Sequence, residues 1–75
     1  MNKDNTVSSD IATNGMKIEA VVTQVRPDNT KNCWRAEARV DGVGMAFSHH
    51  DARPYAEAWA KNMQETYLGV HGGKR

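Results

Sequence analysis

Three stretches of the chain alternate between hydrophobic and polar residues, and each predicts a β-strand. They are MKIEAVVTQV at 16–25, CWRAEARV at 33–40 and VGMAF at 43–47. Successive side chains of a strand point to opposite faces of a sheet, so alternation is typical of strands with one buried face. The segment RPDN ends the first strand, and the Asp-Gly pair before the third strand predicts a tight hairpin turn.

The alternation assigns the strand residues to two faces of the predicted sheet. The core face is expected to hold Ile18, Ala20, Val22, Trp34, Ala36, Ala38, Val40, Val43, Met45 and Phe47. The opposite face is expected to hold Lys17, Glu19, Val21, Thr23, Val25, Arg35, Glu37, Arg39, Gly44, Ala46 and Ser48. A sheet that is covered on one side leaves this second face to solvent.

Between Ala52 and Leu68 the hydrophobic spacing changes to steps of three and four, which predicts an amphipathic helix. Its expected apolar positions are Ala52, Tyr55, Ala56, Trp59, Met63 and Tyr67. Proline has no N–H donor, so Pro54 fits only in the first turn, where the amides are unpaired anyway. Asp51 is the expected N-cap of the helix, and Gly69 is expected to end it.

These elements predict one α+β domain, a three-stranded antiparallel sheet with one C-terminal helix packed on one face, in the order β-β-β-α. The domain is expected to occupy residues 16–69. Residues 1–15 are rich in Asn, Ser, Thr and Asp and are predicted to form a flexible N-terminal arm. Residues 70–75 are predicted to form a flexible tail.

Length, charge and cysteine content narrow the class of protein. A chain of 75 residues buries a small core, which leaves little room for an enclosed active site. The net charge of +1 is neither the basic excess of a typical nucleic-acid binder nor the acidic surface of a DNA mimic. Cys33 is the single cysteine, and a free thiol favours a reducing cytoplasm. No stretch is apolar enough to span a membrane, so we expect a cytoplasmic protein without a membrane partner.

His49, His50 and Asp51 are the candidate metal or acid–base residues of the sequence. Neighbouring residues of a strand point to opposite faces, so adjacent histidines rarely bind one ion, and only Cys33 and His71 remain as further ligands. No nucleophile motif accompanies them. The sequence therefore predicts a strand-to-helix junction here, with no metal, no cofactor and no catalytic residue.

The helix-free face of the sheet is the candidate binding surface. Arginine is enriched in the contacts that dominate protein interfaces, so Arg35 and Arg39 are the expected anchors. The alternative is a solvated face on which opposite charges pair across the strands. The expected partner-binding residues are Lys17, Arg35, Glu37, Arg39, His49 and His50.

Residues 34–63, with the stretches WRAEARVDGVGMAFS and AEAWAKNM, resemble the amino-terminal arm-binding domains of phage integrases. That resemblance implies that the open sheet face enters the major groove of DNA through Arg35, Glu37 and Arg39. In its small size and single domain with a free arm, the chain is also similar to phage proteins that inhibit host machinery, including anti-CRISPR proteins. This second resemblance implies a protein that occludes a surface of a host complex.

From these observations we predict a non-enzymatic protein that binds a protein or ribonucleoprotein complex of a host through its open sheet face, as an anti-CRISPR-like inhibitor. The alternative is a double-stranded DNA-binding accessory module of the integrase-arm kind. A DNA binder loses affinity steeply as salt rises, which separates the two hypotheses. The sequence leaves the oligomeric state open.

Overall fold

The computed structural model describes residues 4–75 and contains four strands followed by one helix. The elements are β1 (Asp4–Ile11), β2 (Lys17–Gln24), β3 (Trp34–Val40), β4 (Val43–His50) and α1 (Arg53–Val70). Each strand pairs antiparallel with the next, which gives the sheet order β1-β2-β3-β4. The helix packs on one face of this open sheet. The α+β class with one C-terminal helix is confirmed, whereas the predicted number of three strands is wrong.

Strand β1 lies in the segment predicted to be a flexible arm. It pairs with β2 from Asp4 opposite Thr23 to Ile11 opposite Lys17, with a register shift between Thr6 and Ser8. Its sequence DNTVSSDI shows little hydrophobic alternation, because an edge strand is half solvated and the shift interrupts its period. The predicted arm is thus corrected to an edge strand, and residues 1–3 of that arm lie outside the described residues.

Strand β4 carries a β-bulge close to its hairpin turn. The turn itself is the predicted one, because Asp41 and Gly42 both have positive φ angles, 50° and 83°, as a type I′ turn requires. Beyond the turn, Arg39 lies opposite Gly44, whereas Ala38, the residue before it in β3, lies opposite Ala46. One residue of β4, Met45, is therefore the extra residue of the bulge.

The predicted faces of β4 are wrong beyond this bulge. Because side chains alternate with period two, one extra residue moves every following side chain to the other face. Phe47, which was expected in the core, lies opposite Glu37 and is 65% exposed. Met45, the bulge residue, is 51% exposed, and Val43, which precedes the bulge opposite Val40, is also exposed. Ala46 and Ser48, which were expected on the open face, lie opposite core residues of β3 instead.

Small side chains line the contact between the sheet and α1. The main buried cluster consists of Ala20, Val22, Ala36, Ala56 and Ala60, with Val7, Trp34 and Trp59 packed against it. A second cluster at the other end consists of Ala12, Ile18, Val40 and Leu68, with Met16 and Tyr67 beside it. The alanines let the helix approach the strands closely, and the larger side chains close the sides of the interface.

The buried stripe of α1 is rotated relative to the predicted one. Its buried residues are Ala56, Ala60, Gln64 and Leu68, at steps of four. Gln64 is polar, but its amide donates to the carbonyl oxygen of Ile18 at 3.1 Å, which satisfies it inside the core. Tyr55, which was expected to face the core, is mostly exposed.

Helix α1 begins at Arg53, with Pro54 in its first turn as predicted. The predicted N-cap is wrong, because Ala52 occupies that position and no side chain caps the helix. The Oδ1 atom of Asp51 instead accepts a hydrogen bond from the backbone N–H of Asn32 at 2.8 Å. The carboxylate therefore fastens the loop between β2 and β3 to the strand-to-helix junction.

The chain beyond the helix folds back onto the end of β1. Helix α1 continues past Gly69, its predicted end, to Val70. The backbone N–H of Thr13 then donates to the carbonyl of Gly73 at 2.8 Å, and that of Arg75 donates to Ile11 at 2.9 Å. The predicted flexible tail is thus corrected to a segment that is hydrogen-bonded to the edge of the sheet.

Candidate interaction surface on the open face of the sheet

The open face is the side of the sheet that α1 does not cover. Its residues follow from the strand pairing: Asp4, Thr6, Ser9 and Ile11 of β1, Lys17, Glu19, Val21 and Thr23 of β2, Arg35, Glu37 and Arg39 of β3, and Gly44, Phe47 and His49 of β4. The acidic residues Asp4, Glu19 and Glu37 balance the basic residues Lys17, Arg35 and Arg39 in number. The open face as a whole therefore carries no excess of formal charge.

Arg39 connects strands β3 and β1 across the open face. Its Nε atom donates to Glu37 Oε1 at 2.7 Å, and a terminal guanidinium nitrogen donates to Asp4 Oδ2 at 2.8 Å. Since β2 lies between β1 and β3, the side chain of Arg39 extends across β2. Val21 and Thr23 of β2 are accordingly 0% and 2% exposed, although no helix covers them. Arg39, Glu37 and Asp4 thus form an internally paired charge network, as the solvated-face alternative expects.

The ion pair between Arg39 and Asp4 shifts the pKa values of both side chains. The hydrogen bond from Arg39, together with a second one from the Thr23 hydroxyl at 2.7 Å, lowers the pKa of the Asp4 carboxyl. The Asp4 carboxylate in turn raises the pKa of the Arg39 guanidinium. Both shifts arise because each charged group is hydrogen-bonded to its opposite in the folded state.

Replacement of Asp4 by asparagine is expected to lower stability at neutral pH and to have little effect in acid. The pKa of Asp4 in the folded protein lies below its reference value of 3.8, so its stabilisation is complete above that value and is lost as the pH falls through the folded pKa. Asp4 is half exposed, which limits the effect to less than about 1 kcal/mol. Urea unfolding of both proteins at neutral pH and at a series of acidic pH values measures it. A difference in stability that stays the same until the domain unfolds in acid would contradict the expectation.

Arg35 has fewer hydrogen-bond and ion-pair partners than Arg39 among the described residues. It lies between Thr23 of β2 and His49 of β4. Its Nε atom is buried and has no hydrogen-bond partner, and no ion pair involves its guanidinium among residues 4–75. A charged donor without an acceptor is costly, so this side chain gains from a partner that brings one.

An exposed apolar strip, formed by Met45 and Phe47, runs along β4, and Phe47 lies opposite Glu37. Phe47 is 65% exposed and Met45 is 51% exposed. The rings of Phe47 and His49 meet edge to face, with centroids 6.0 Å apart and planes at 85°. Aromatic pairs prefer this arrangement, so the two rings hold each other in position on the surface. This strip was missed by sequence reasoning, which placed Met45 and Phe47 in the core.

Gly44 is the residue in the sequence that could have indicated the bulge, and with it the exposure of Phe47. A glycine inside a strand often marks a bulge or a close approach of another group. A Cβ atom at this position would collide with the carboxylate of Glu37, the same carboxylate that Arg39 binds. Glycine therefore lets Glu37 lie across β4 at the bulge.

The remaining predicted residues lie apart from Arg35 and the strip. Lys17 is at the opposite end of the open face, where its Nζ atom is 3.9 Å from Glu19 Oε2. His50 lies on the helix side of the sheet, with its ring centroid 6.1 Å from that of Trp59. Its Nε2 atom is buried without a hydrogen-bond partner in the described part of the chain. The structure therefore brings together Arg35, Phe47 and His49 and separates them from His50.

Within residues 4–75, no three His, Cys, Asp or Glu side chains are grouped so that they could hold a metal ion. Cys33 is buried, and its thiol donates to the carbonyl oxygen of Asp51 at 3.3 Å. Over the same described range, no helix is long and apolar enough to cross a membrane.

Comparisons of the chain with protein-family models, with curated proteins and with solved structures found no match. The function is accordingly inferred from the open face itself.

Proposed function

We propose that this protein is a non-enzymatic binding protein that holds a macromolecular partner on the Arg35 side of its open face. The observation that supports this most strongly is the exposure of Phe47 beside His49 and an arginine without an ion-pair partner among residues 4–75. Aromatic and arginine side chains dominate the binding energy of protein interfaces. Contiguous exposed apolar side chains are typical of surfaces that bind a partner.

Within this class, we propose a small inhibitor that occludes a surface of a host defence complex, as anti-CRISPR proteins do. The partner is then a protein or a ribonucleoprotein. The composition of the strip supports a protein surface as the target, because Met45 adapts to irregular apolar contacts and Phe47 adds a rigid ring. The paired charges around Arg39 form a polar rim beside this apolar centre, which is the usual organisation of a protein interface.

Double-stranded DNA binding has less support from the geometry. Affinity for DNA depends on Lys and Arg side chains that are free to neutralise phosphates. Arg39 is held by two carboxylates, and Lys17 has Glu19 beside it. Arg35 alone offers too few phosphate contacts for tight binding.

The immobilised protein is expected to retain a protein or ribonucleoprotein partner from a host lysate after nuclease treatment. Arg35→Glu is expected to weaken the complex with the purified partner by more than about 30-fold, as for other residues that dominate an interface. Arg26→Glu is the matched control, because it makes the same charge change in an exposed loop and is expected to bind normally. Isothermal titration of the three proteins at two salt concentrations measures the effect.

Two results would contradict the proposal. The first is recovery of nucleic acid alone, lost after nuclease treatment and with an affinity that falls steeply with salt. The second is equal affinity of the Arg35→Glu and Arg26→Glu variants for the purified partner.

A further inference from the structure

The two edges of the sheet are protected to different degrees. The β1 edge carries Asp4 and Asp10, which form ion pairs with Arg39 and Lys74. It has a register shift between Thr6 and Ser8, and the C-terminal segment is hydrogen-bonded to its end. Charges, irregular register and covering segments are the features that keep an edge strand from pairing with another chain.

The β4 edge lacks the charges that protect β1. Its eight residues, VGMAFSHH, include no Lys, Arg, Asp or Glu. Strand β4 is the last in the sheet order, so its outer edge has no neighbouring strand among the described residues. After the bulge at Met45, five residues, 46–50, form a regular strand opposite β3. Such an uncharged edge offers unpaired backbone groups to a further strand.

We propose that the β4 edges of two copies of this chain pair antiparallel about a two-fold axis at Ser48. Residues at equal distances from the axis then lie opposite each other, so Phe47 of one copy faces His49 of the other. This pairing repeats between the copies the edge-to-face ring contact that exists within each copy. The axis falls at the centre of the regular segment and leaves the bulge outside the pairing.

Charge favours a second copy as the occupant of this edge. A two-fold axis brings the residues nearest to it close to their own equivalents, so a charged side chain near the axis would meet a like charge. Strand β4 has no formally charged residue, whereas β1 and β3 have several. Self-pairing through β4 therefore opposes no like charges across the new strand pair.

The dimer would have one continuous sheet of eight strands with both open faces on the same side. Phe47 and His49 of the two copies would form its centre, and one Arg35 would flank them on each side. This inference goes beyond the proposed function and does not depend on it, because it concerns the protein without a partner.

The mass of the reduced wild-type protein in solution tests the inference directly. Sedimentation equilibrium up to about 1 mM protein is expected to show a species of twice the 8.3 kDa chain. A mass of one chain over the whole concentration range would overturn the proposal.

Paired charge variants test the site of contact. The double variants Phe47→Glu/His49→Glu and Phe47→Lys/His49→Lys are each expected to be monomeric, and an equimolar mixture is expected to form a heterodimer. Both positions are exposed, so the fold is retained, as circular dichroism checks. Arg35→Ala, on the same face but one strand away, is the control that is expected to stay dimeric.

Dimers that persist in both separate double variants would overturn pairing through β4. A mixture that stays monomeric while wild type dimerises would overturn the proposed register. Loss of partner binding in Arg35→Glu with an unchanged dimer supports both proposals separately. A wild-type monomer that still binds its partner would overturn this inference and leave the proposed function intact.

Discussion

Replacing Ala60 with leucine is expected to lower the free energy of unfolding by about 1–3 kcal/mol, a large part of the stability of so small a domain. Ala60 is fully buried in the cluster where α1 meets β2 and β3. The extra methylene and methyl groups have no space between helix and strands, so the helix must move away and the packing around Trp34 and Trp59 must change.

Ala58→Leu is the matched control for this experiment. Ala58 lies on the same helix but is exposed, so leucine there is expected to change stability by no more than about 0.5 kcal/mol. Urea unfolding monitored by tryptophan fluorescence compares the two variants with wild type. Equal effects at both positions would mean that the helix does not approach the sheet through its alanines.

Phe47→Asp is expected to weaken binding of the partner by at least about 30-fold, or about 2 kcal/mol, without unfolding the domain. The ring is 65% exposed, so the folded protein loses little when it is removed. Aspartate adds a charge that must be desolvated in an apolar interface, which adds to the loss of ring contacts.

Tyr55→Asp provides a control of the same kind on another surface. Tyr55 is 67% exposed and lies on α1, away from the open face. We expect this variant to bind the partner with wild-type affinity, and calorimetry with the purified partner measures both. A larger loss of affinity in Tyr55→Asp than in Phe47→Asp would mean that the partner binds the helix and not the open face of the sheet.

Local signals predicted most of the fold correctly. The Asp41-Gly42 pair takes the positive φ angles that its residue types favour, and β2 and β3 alternate as a half-buried sheet requires. Pro54 lies in the first turn of α1 because its missing donor is harmless there. These features depend on a few neighbouring residues, which a sequence displays directly.

The errors arose where a distant part of the chain decides the local structure. Strand β1 is polar and irregular, and only its pairing with β2 makes it a strand. The carboxylate of Asp51 binds an amide in the loop before β3 instead of capping the helix beside it. Neither partner lies near enough in the sequence to leave a periodic signal.

The candidate surface could be predicted only in part for the same reason. Arg35 and Arg39 were assigned to the correct face, because β3 has a regular alternation. Arg39 forms ion pairs with Glu37 and with Asp4, and Asp4 belongs to strand β1, which was not expected. Arg35 forms no such ion pair among the described residues. Phe47 was assigned to the wrong face because the bulge at Met45 adds one residue to the count.

The bulge also shows how the surface of such a protein can change without any change of side chain. If Met45 were paired as a regular strand residue, β4 would lie one position out of step with β3, and Phe47 and His49 would lie on the helix side of the sheet in place of Ala46 and Ser48. Deletion of Met45, by contrast, would remove the extra residue and keep residues 46–50 in their present register. The pairing of β4 with β3, and not its composition alone, therefore determines which side chains the protein displays.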